Sequence, residues 1–207
     1  MTGPGPQRLG ILLSGRGSNF LAIADGIANG QLPNASIAVV ISNRSDAPGI
    51  EAARKAGFNA QVIEARGRRR AEHDAEIIAC LQSHHVDLIC LAGYMRLLSP
   101  EFVRAFPQRI LNIHPSLLPA FPGLEAQRQA VAYGVTFSGC TVHFVDEELD
   151  HGVIVLQKTV PVFAQDDENA LTARILAQEH VAYIEAIARV LSGKYCIAGR
   201  RYVPRSN

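Results

Sequence analysis

The chain has 207 residues, of which 48% are hydrophobic and 19% are charged, and its formal net charge is +1. This length suits one domain with a sizeable core, and the near-neutral charge gives no electrostatic case for binding long nucleic acid or an anionic membrane surface. Four separated cysteines predict free buried thiols and no metal site. The N-terminus lacks the apolar core of a signal peptide and no apolar run approaches ~20 residues, so we expect a cytoplasmic location.

The first half of the chain alternates short apolar runs with segments of helical spacing, which predicts strands and helices in βαβ order. The predicted strands are 9–13, 35–41, 59–63, 86–92 and 109–113. The predicted helices are 20–27, 48–57, 71–84 and 101–106. This order favours an α/β fold with a mostly parallel, Rossmann-like sheet flanked by helices.

A glycine turn, SGRGSN at 14–19, joins the first predicted strand to the first helix. Its glycines let the backbone approach a ligand, and the N–H groups of Gly17, Ser18 and Asn19 would face a phosphate at the positive end of the helix. The spacing matches neither a dinucleotide site nor a P-loop, so it favours a simple phosphate monoester. The alternative is a turn that needs its glycines for packing alone.

Arginines are concentrated at 66–70, RGRRR, just before the third helix. Such a run is typically a solvated helix start, but positive charge at a helix N-terminus is mildly unfavourable, so one arginine is expected to have an anionic partner. In the same region, His73, His84 and His85 have no matching ligand set, and we predict them at the surface.

The segment GYMRLLSP at 93–100 follows the most apolar predicted strand. Gly and large apolar groups at a strand end can form a pocket wall that takes a flat heteroaromatic ring. The alternative is that Tyr94, Met95 and Leu97 pack under the next helix.

The segment 109–123, RILNIHPSLLPAFPG, is the strongest candidate for a reaction centre. Strand alternation points Asn112 and His114 to the same side, and the following prolines require a shaped loop. An amide and an imidazole therefore share the carboxyl end of a strand, where open α/β sheets bind ligands. The alternative is that both side chains satisfy local backbone groups.

The second half of the chain predicts an antiparallel extension of the sheet. After a helix at 125–133, strands 136–145 and 153–160 have no helix between them and should pair as an edge hairpin. A long helix from 166 to 191 and a short β tail at 195–203 follow. In the turn between the two strands, Asp146, Glu147 and Glu148 suit solvent, whereas Asp150 could reach back to His114 and favour its protonated form.

Five segments resemble the glycinamide ribonucleotide formyltransferase family, in the family's order and over nearly the whole chain. They are SGRGSN at 14–19, GYMRLLSPEFV at 93–103, LNIHPSLLPAFPG at 111–123, GCTVHFVDEELDHG at 139–152 and TARILAQEH at 172–180. The resemblance implies one formyltransferase domain over 1–207, with a phosphate-binding Rossmann-like half at about 8–113 and a folate and catalytic-loop half at about 114–207.

The resemblance also implies a role for each matching position. Asn112, His114 and Asp150 match the catalytic residues, Gly17, Ser18 and Asn19 match the site for the substrate phosphate, and Glu179 matches a residue that contacts the glycinamide side. The positions that match folate-binding residues are Arg70, Met95, Arg96, Leu97, Leu98 and Asn112.

The implied activity is transfer of the formyl group of 10-formyltetrahydrofolate, as co-substrate, to the amine of glycinamide ribonucleotide in de novo purine biosynthesis. No metal, nucleic acid or membrane partner is expected, and the protein should be a monomer or a homodimer. The alternative function is formyltetrahydrofolate hydrolysis, in which water replaces the amine.

Overall fold

The computed structural model describes residues 5–205 as a single α/β domain with a mostly parallel, seven-stranded central sheet flanked by helices. In chain order its elements are β1 (Gln7–Leu13), α1 (Ser18–Ala28), β2 (Ala35–Ser42), α2 (Pro48–Lys55), β3 (Ala60–Val62), α3 (Arg70–Ser83), β4 (Leu88–Leu91), α4 (Pro100–Ala105), β5 (Ile110–His114), α5 (Ala126–Tyr133), β6 (Phe137–Phe144), β7 (Ile154–Pro161), α6 (Glu168–Leu191), β8 (Tyr195–Ala198) and β9 (Arg201–Pro204). The predicted fold class is confirmed. The ends of the predicted elements differ from these by one or two residues.

The first of two compact units ends at Leu111 and is built on parallel strands in the order β3-β2-β1-β4. In the central strand β1, Leu9, Ile11, Leu12 and Leu13 are fully buried, as expected for a strand covered on both faces. The carboxyl ends of parallel strands meet at one edge of a sheet, so the loops after β1 and β4 open on the same side.

The second unit begins at Asn112 and contains the predicted hairpin. Strands β6 and β7 pair antiparallel from Phe137↔Pro161 to His143↔Ile154, with a bulge at His143. The predicted β tail is itself a hairpin of β8 and β9. Helix α6 packs on β6 and β7 through a buried side that includes Leu171. Within residues 5–205, no helix has both the length and the apolar character that crossing a membrane requires.

The prediction that His73 lies at the surface is wrong, because the side chain is fully buried. His73 shares one face of α3 with Ile77 and Leu81, since residues four apart on a helix lie above one another, and all three are buried. Its Nε2 donates to the Ile63 carbonyl at 2.7 Å. His85 is exposed, as predicted.

The prediction of four free buried thiols holds only in part. None of the four cysteines forms a disulfide, and Cys90 and Cys140 are fully buried. Cys80 and Cys196 are only half-buried.

Candidate active site

The loop after β5 is fixed by hydrogen bonds from side chains on the adjacent hairpin. The hydroxyl of Thr141, fully buried on β6, donates to the Ser116 carbonyl at 2.7 Å and accepts the N–H of Leu118 at 3.0 Å. On β7, the amide nitrogen of Gln157 donates both to this hydroxyl and to the Leu118 carbonyl. These bonds fix the conformation of the proline-rich loop that follows His114.

His114 ends β5 and lies between two hydrogen-bond acceptors. Its Nε2 is 2.8 Å from the Phe121 carbonyl, and its Nδ1 is 3.4 Å from Oδ2 of Asp150. The imidazole is buried, with 5% of the side chain exposed. The ring therefore lies between a backbone carbonyl and a carboxylate, with one nitrogen facing each oxygen. The alternative, in which His114 bonds only to local backbone, accounts for the contact of Nε2 with the Phe121 carbonyl. It does not account for the Asp150 carboxylate on the other side of the ring.

Asp150 is held by a backbone group of the loop after β5. Its Oδ2 accepts the N–H of Gly123 at 2.7 Å, and its side chain is 8% exposed. Its φ of 50° lies in the left-handed region, which aspartate tolerates better than most residues. Two residues on, a Cβ at Gly152 would lie 1.8 Å from the Phe144 carbonyl oxygen, so the turn can pass this point only with glycine. The predicted approach of Asp150 to His114 is therefore present in the structure.

Asn112 is oriented by His143 on β6. The Nδ1 of His143 is 2.8 Å from the Phe144 carbonyl, so it must carry the proton, and Nε2 can accept. Burial lowers the pKa of His143, which keeps the ring neutral, although the Phe144 carbonyl and the charge of Asp150 act in the opposite direction. The amide nitrogen of Asn112 lies 3.2 Å from this Nε2 and donates to it. The second N–H of the same amide is then available to a ligand.

Glu179 is buried near the middle of α6, with 7% of its surface exposed. Burial raises the pKa of Cys140 on β6 to about 12, and the negative charge of Glu179 contributes to this increase. The charge of Glu179 therefore acts on β6. A buried carboxylate on the helix that covers this hairpin is a candidate for recognising a polar substrate group.

In the first unit, the predicted phosphate turn lies between β1 and α1. Gly17 has a φ of 74°, and a Cβ there would lie 2.8 Å from the Cα of Gly49, so packing requires this glycine. A Cβ at Gly15 would meet no atom within 4 Å. Helix α1 begins with no side-chain cap hydrogen bond and no acidic residue in its first turn, so its own first turn does not neutralise its positive end.

The segment after β4 combines apolar side chains with exposure. Met95 is 70% exposed and Leu97 is 52% exposed, whereas Tyr94 is buried. The alternative that all three pack under the next helix is therefore wrong for Met95 and Leu97. Exposed apolar side chains at the carboxyl end of a central strand suit a pocket wall.

A cleft of about 770 Å³ in the same unit is lined by Met95 and four arginines, among other residues. The arginines are Arg44, Arg66, Arg68 and Arg96. Arg44 pairs with Asp46 at 2.8 Å, and Arg68 pairs with Glu76 at 2.7 Å. Arg66 and Arg96 have no ion pair among residues 5–205, and with Asp46 and Glu64 also in the lining the cleft carries four positive and two negative side chains.

Protein carboxylates account for part of the arginine run that the sequence singled out. Arg69 pairs with Glu72 on α3, so the expected anionic partner of that arginine is a residue of the same helix. Arg70 begins α3 with an exposed side chain and does not line the cleft. Leu97 and Leu98 also lie outside the cleft lining, whereas Met95 and Arg96 belong to it.

Comparison with known proteins identifies the family. The sequence pattern of the family described as formyl transferase matches residues 7–187. The chain belongs to the formyl transferase family. Phosphoribosylglycinamide formyltransferase of Escherichia coli (strain K12) is 43% identical over 89% of this chain and 87% of its own length. The crystal structure of glycinamide ribonucleotide transformylase 1 from Symbiobacterium toebii is 50% identical, has a TM-score of 0.94, and covers 97% of this chain and 95% of that chain.

Formyl transferase domains also occur in longer proteins. The trifunctional purine biosynthetic protein adenosine-3 of Drosophila pseudoobscura pseudoobscura is 47% identical over 90% of this chain, which spans only 14% of that protein. The crystal structure of a formyltetrahydrofolate deformylase from Pseudomonas syringae pv. tomato has a TM-score of 0.88 at 26% identity and covers 97% of this chain and 66% of that chain. In sequence, this formyl transferase is therefore closer to the transferring enzymes than to that deformylase.

Sequence reasoning gave no role to His143 or to the Thr141–Gln157 hydrogen bonds of this formyl transferase. His143 lies in β6, where residues 138–144 are all buried. Because buried and exposed residues do not alternate there, the sequence pattern does not show which face of the strand His143 is on. The pairing of β6 with β7, which places Thr141 opposite Gln157, was the available signal. Among the residues that the structure describes, no three His, Cys, Asp or Glu side chains converge as metal ligands do.

Proposed function

We propose that the protein transfers the formyl group of 10-formyltetrahydrofolate to the amine of glycinamide ribonucleotide, giving formylglycinamide ribonucleotide and tetrahydrofolate in de novo purine biosynthesis. The observation that carries the proposal is the buried imidazole of His114, with one nitrogen facing a carbonyl and the other facing the Asp150 carboxylate. Relatives named phosphoribosylglycinamide formyltransferase, at 43% and 44% identity over most of their length, support the choice of substrates.

The reaction needs charge stabilisation and one proton transfer, and both suit these residues. The amine nitrogen attacks the formyl carbon, which forms a C–N bond and a tetrahedral intermediate with an oxyanion. The imidazolium of His114 and the second N–H of Asn112 are the donors that we assign to this oxygen. Collapse breaks the bond from the formyl carbon to N10 of the folate. The proton lost by the amine goes to N10 through His114 or through a water held by Asp150.

This assignment has a structural requirement in the loop after β5. The Nε2–H of His114 is bonded to the Phe121 carbonyl, so it can bind an oxyanion only by exchanging one acceptor for the other. Asp150 lies on the opposite side of the ring and keeps its contact throughout that exchange. The nitrogen that faces the carboxylate is therefore not the one that has to change partner.

We assign the two substrates to separate sets of residues. The phosphate of glycinamide ribonucleotide goes to the uncapped start of α1, at Gly17, Ser18 and Asn19. Glu179 takes the glycinamide side of the same substrate. The cofactor contacts assigned to the formyl transferase are Arg70, Met95, Arg96, Leu97, Leu98 and Asn112.

The test is turnover of 10-formyltetrahydrofolate with and without glycinamide ribonucleotide, following both tetrahydrofolate and the formylated amine. Transfer predicts that tetrahydrofolate forms only with the ribonucleotide and in equal amount to the formylated product. Equal release without the ribonucleotide would make water the acceptor and the protein a hydrolase. The monomer or homodimer state and the cytoplasmic location stay predictions from the sequence.

A further inference from the structure

The segment Gly93–Ser99 has exposed apolar side chains but a backbone that is fixed at both ends. Near its start, the hydroxyl of Ser14 accepts the N–H of Met95 at 2.8 Å, and the N–H of Ser14 donates to the Gly93 carbonyl at 3.1 Å. At its end, Oδ2 of Asp74 accepts the N–H of Ser99 at 2.6 Å. A binding surface held in shape before the ligand arrives loses less entropy when the ligand binds.

Asp74 is an unusual residue for a purely structural role. It lies on α3 with 1% of its surface exposed, and removing a carboxylate from water is costly unless it is paired and hydrogen-bonded. The groups that face it are the Nδ1 of His73 at 3.5 Å and the N–H of Ser99. Burial, and then the charge of Asp74, raises the pKa of Tyr94, so the carboxylate also acts on the second residue of the segment. Asp74 therefore acts on Gly93–Ser99 near both of its ends.

We infer that Asp74 and Ser14 are positioning residues for cofactor binding, holding Gly93–Ser99 in the shape that receives the pteridine ring. The inference rests on the proposed function, because it takes Met95 to Leu98 as the cofactor wall. Ser14 is the first residue of the glycine turn, so the side chain that fixes this wall belongs to the same turn as the proposed phosphate site.

The variants that separate positioning from general stability are Asp74→Leu and Asp74→Asn. Leucine removes the acceptor and keeps the branching of the side chain, whereas the asparagine oxygen can still accept the N–H of Ser99. We expect Asp74→Leu to raise the KM for 10-formyltetrahydrofolate and the Kd for tetrahydrofolate about tenfold, the loss typical of a hydrogen bond to a charged group. Asp74→Asn should restore most of the binding. The KM for glycinamide ribonucleotide and kcat should stay within about twofold.

Asp87→Leu is the matched control. The carboxylate of Asp87 also accepts a backbone N–H, that of Arg8 at 2.8 Å, but it is exposed and lies before β4 rather than after it. This variant should bind tetrahydrofolate as the parent protein does. A parallel change of kcat and both KM values in Asp74→Leu would overturn the inference, as would an unchanged Kd.

If Asp74→Leu does not fold, Ser14→Ala decides the question, since it removes only the acceptor for the N–H of Met95. It must also raise the Kd for tetrahydrofolate, and parent-like binding would overturn the inference. Because this Kd is measured without glycinamide ribonucleotide, failure of formyl transfer in the parent protein would refute the proposed function and leave the test of positioning intact.

Discussion

Thr141→Val tests how firmly the loop after β5 is held. Valine keeps the shape of the side chain but removes the hydroxyl, which leaves the buried carbonyl of Ser116 and the buried N–H of Leu118 without that partner. Each such group costs about 1–2 kcal/mol, so the free energy of unfolding should fall by about 3 kcal/mol. Because the same loop fixes Phe121 and Gly123 against the catalytic pair, kcat should also fall at least about tenfold.

The assay is urea unfolding followed by far-UV circular dichroism, with turnover measured on the same preparation. Thr159→Val is the control, because Thr159 lies on β7 with an exposed side chain that makes no hydrogen bond to the loop within residues 5–205. The control should change the free energy of unfolding by less than about 0.5 kcal/mol. A loss below about 1 kcal/mol in Thr141→Val would refute the reasoning that this hydroxyl holds the loop.

Three further predictions concern the second unit. Gly152→Ala should lower kcat/KM at least about a hundredfold, because its Cβ would lie 1.8 Å from the Phe144 carbonyl and displace the turn that carries Asp150; steady-state kinetics with near-normal values would contradict this. Asp150→Asn should lower kcat at least about tenfold, because it removes the carboxylate charge that lies 3.4 Å from Nδ1 of His114, and a parent-like kcat would count against the charge contact. The bond to Arg174 lowers the pKa of Asp166 to about 2, so this pair stabilises the fold fully above pH ~4 and less as pH falls toward 2. In urea titrations, the stability difference between the parent and Asp166→Asn should therefore shrink over that range, and a constant difference would contradict the pairing.

The contact between His114 and Asp150 could be predicted from the sequence because each residue lies at a strand end or turn that the sequence pattern defines. His114 precedes prolines that end a strand, and Asp150 lies in the turn of a hairpin that has no helix between its strands. Strand order and pairing then bring them together. The family resemblance adds their roles, which alternation and turn chemistry do not contain.

Other features depend on packing that one-dimensional patterns do not encode. His143 lies on a strand that is buried on both faces, so no alternation distinguishes it from an apolar neighbour. The burial of His73 could have been predicted from the sequence, since its spacing from Ile77 and Leu81 places all three residues on one helix face. The buried carboxylate of Asp74 and its bond to Ser99 link residues 25 positions apart, and only the tertiary structure brings them into contact.

The most direct test of the central claim follows a ¹³C-labelled formyl group in a single turnover by the parent protein and by His114→Ala, with both substrates saturating. The parent should move the label into formylglycinamide ribonucleotide. In His114→Ala, the label should leave the folate at a rate lower by a factor of ~10²–10³. Binding of tetrahydrofolate should be nearly unchanged. Transfer at a near-parental rate in the variant, or label recovered as formate from the parent, would contradict the account.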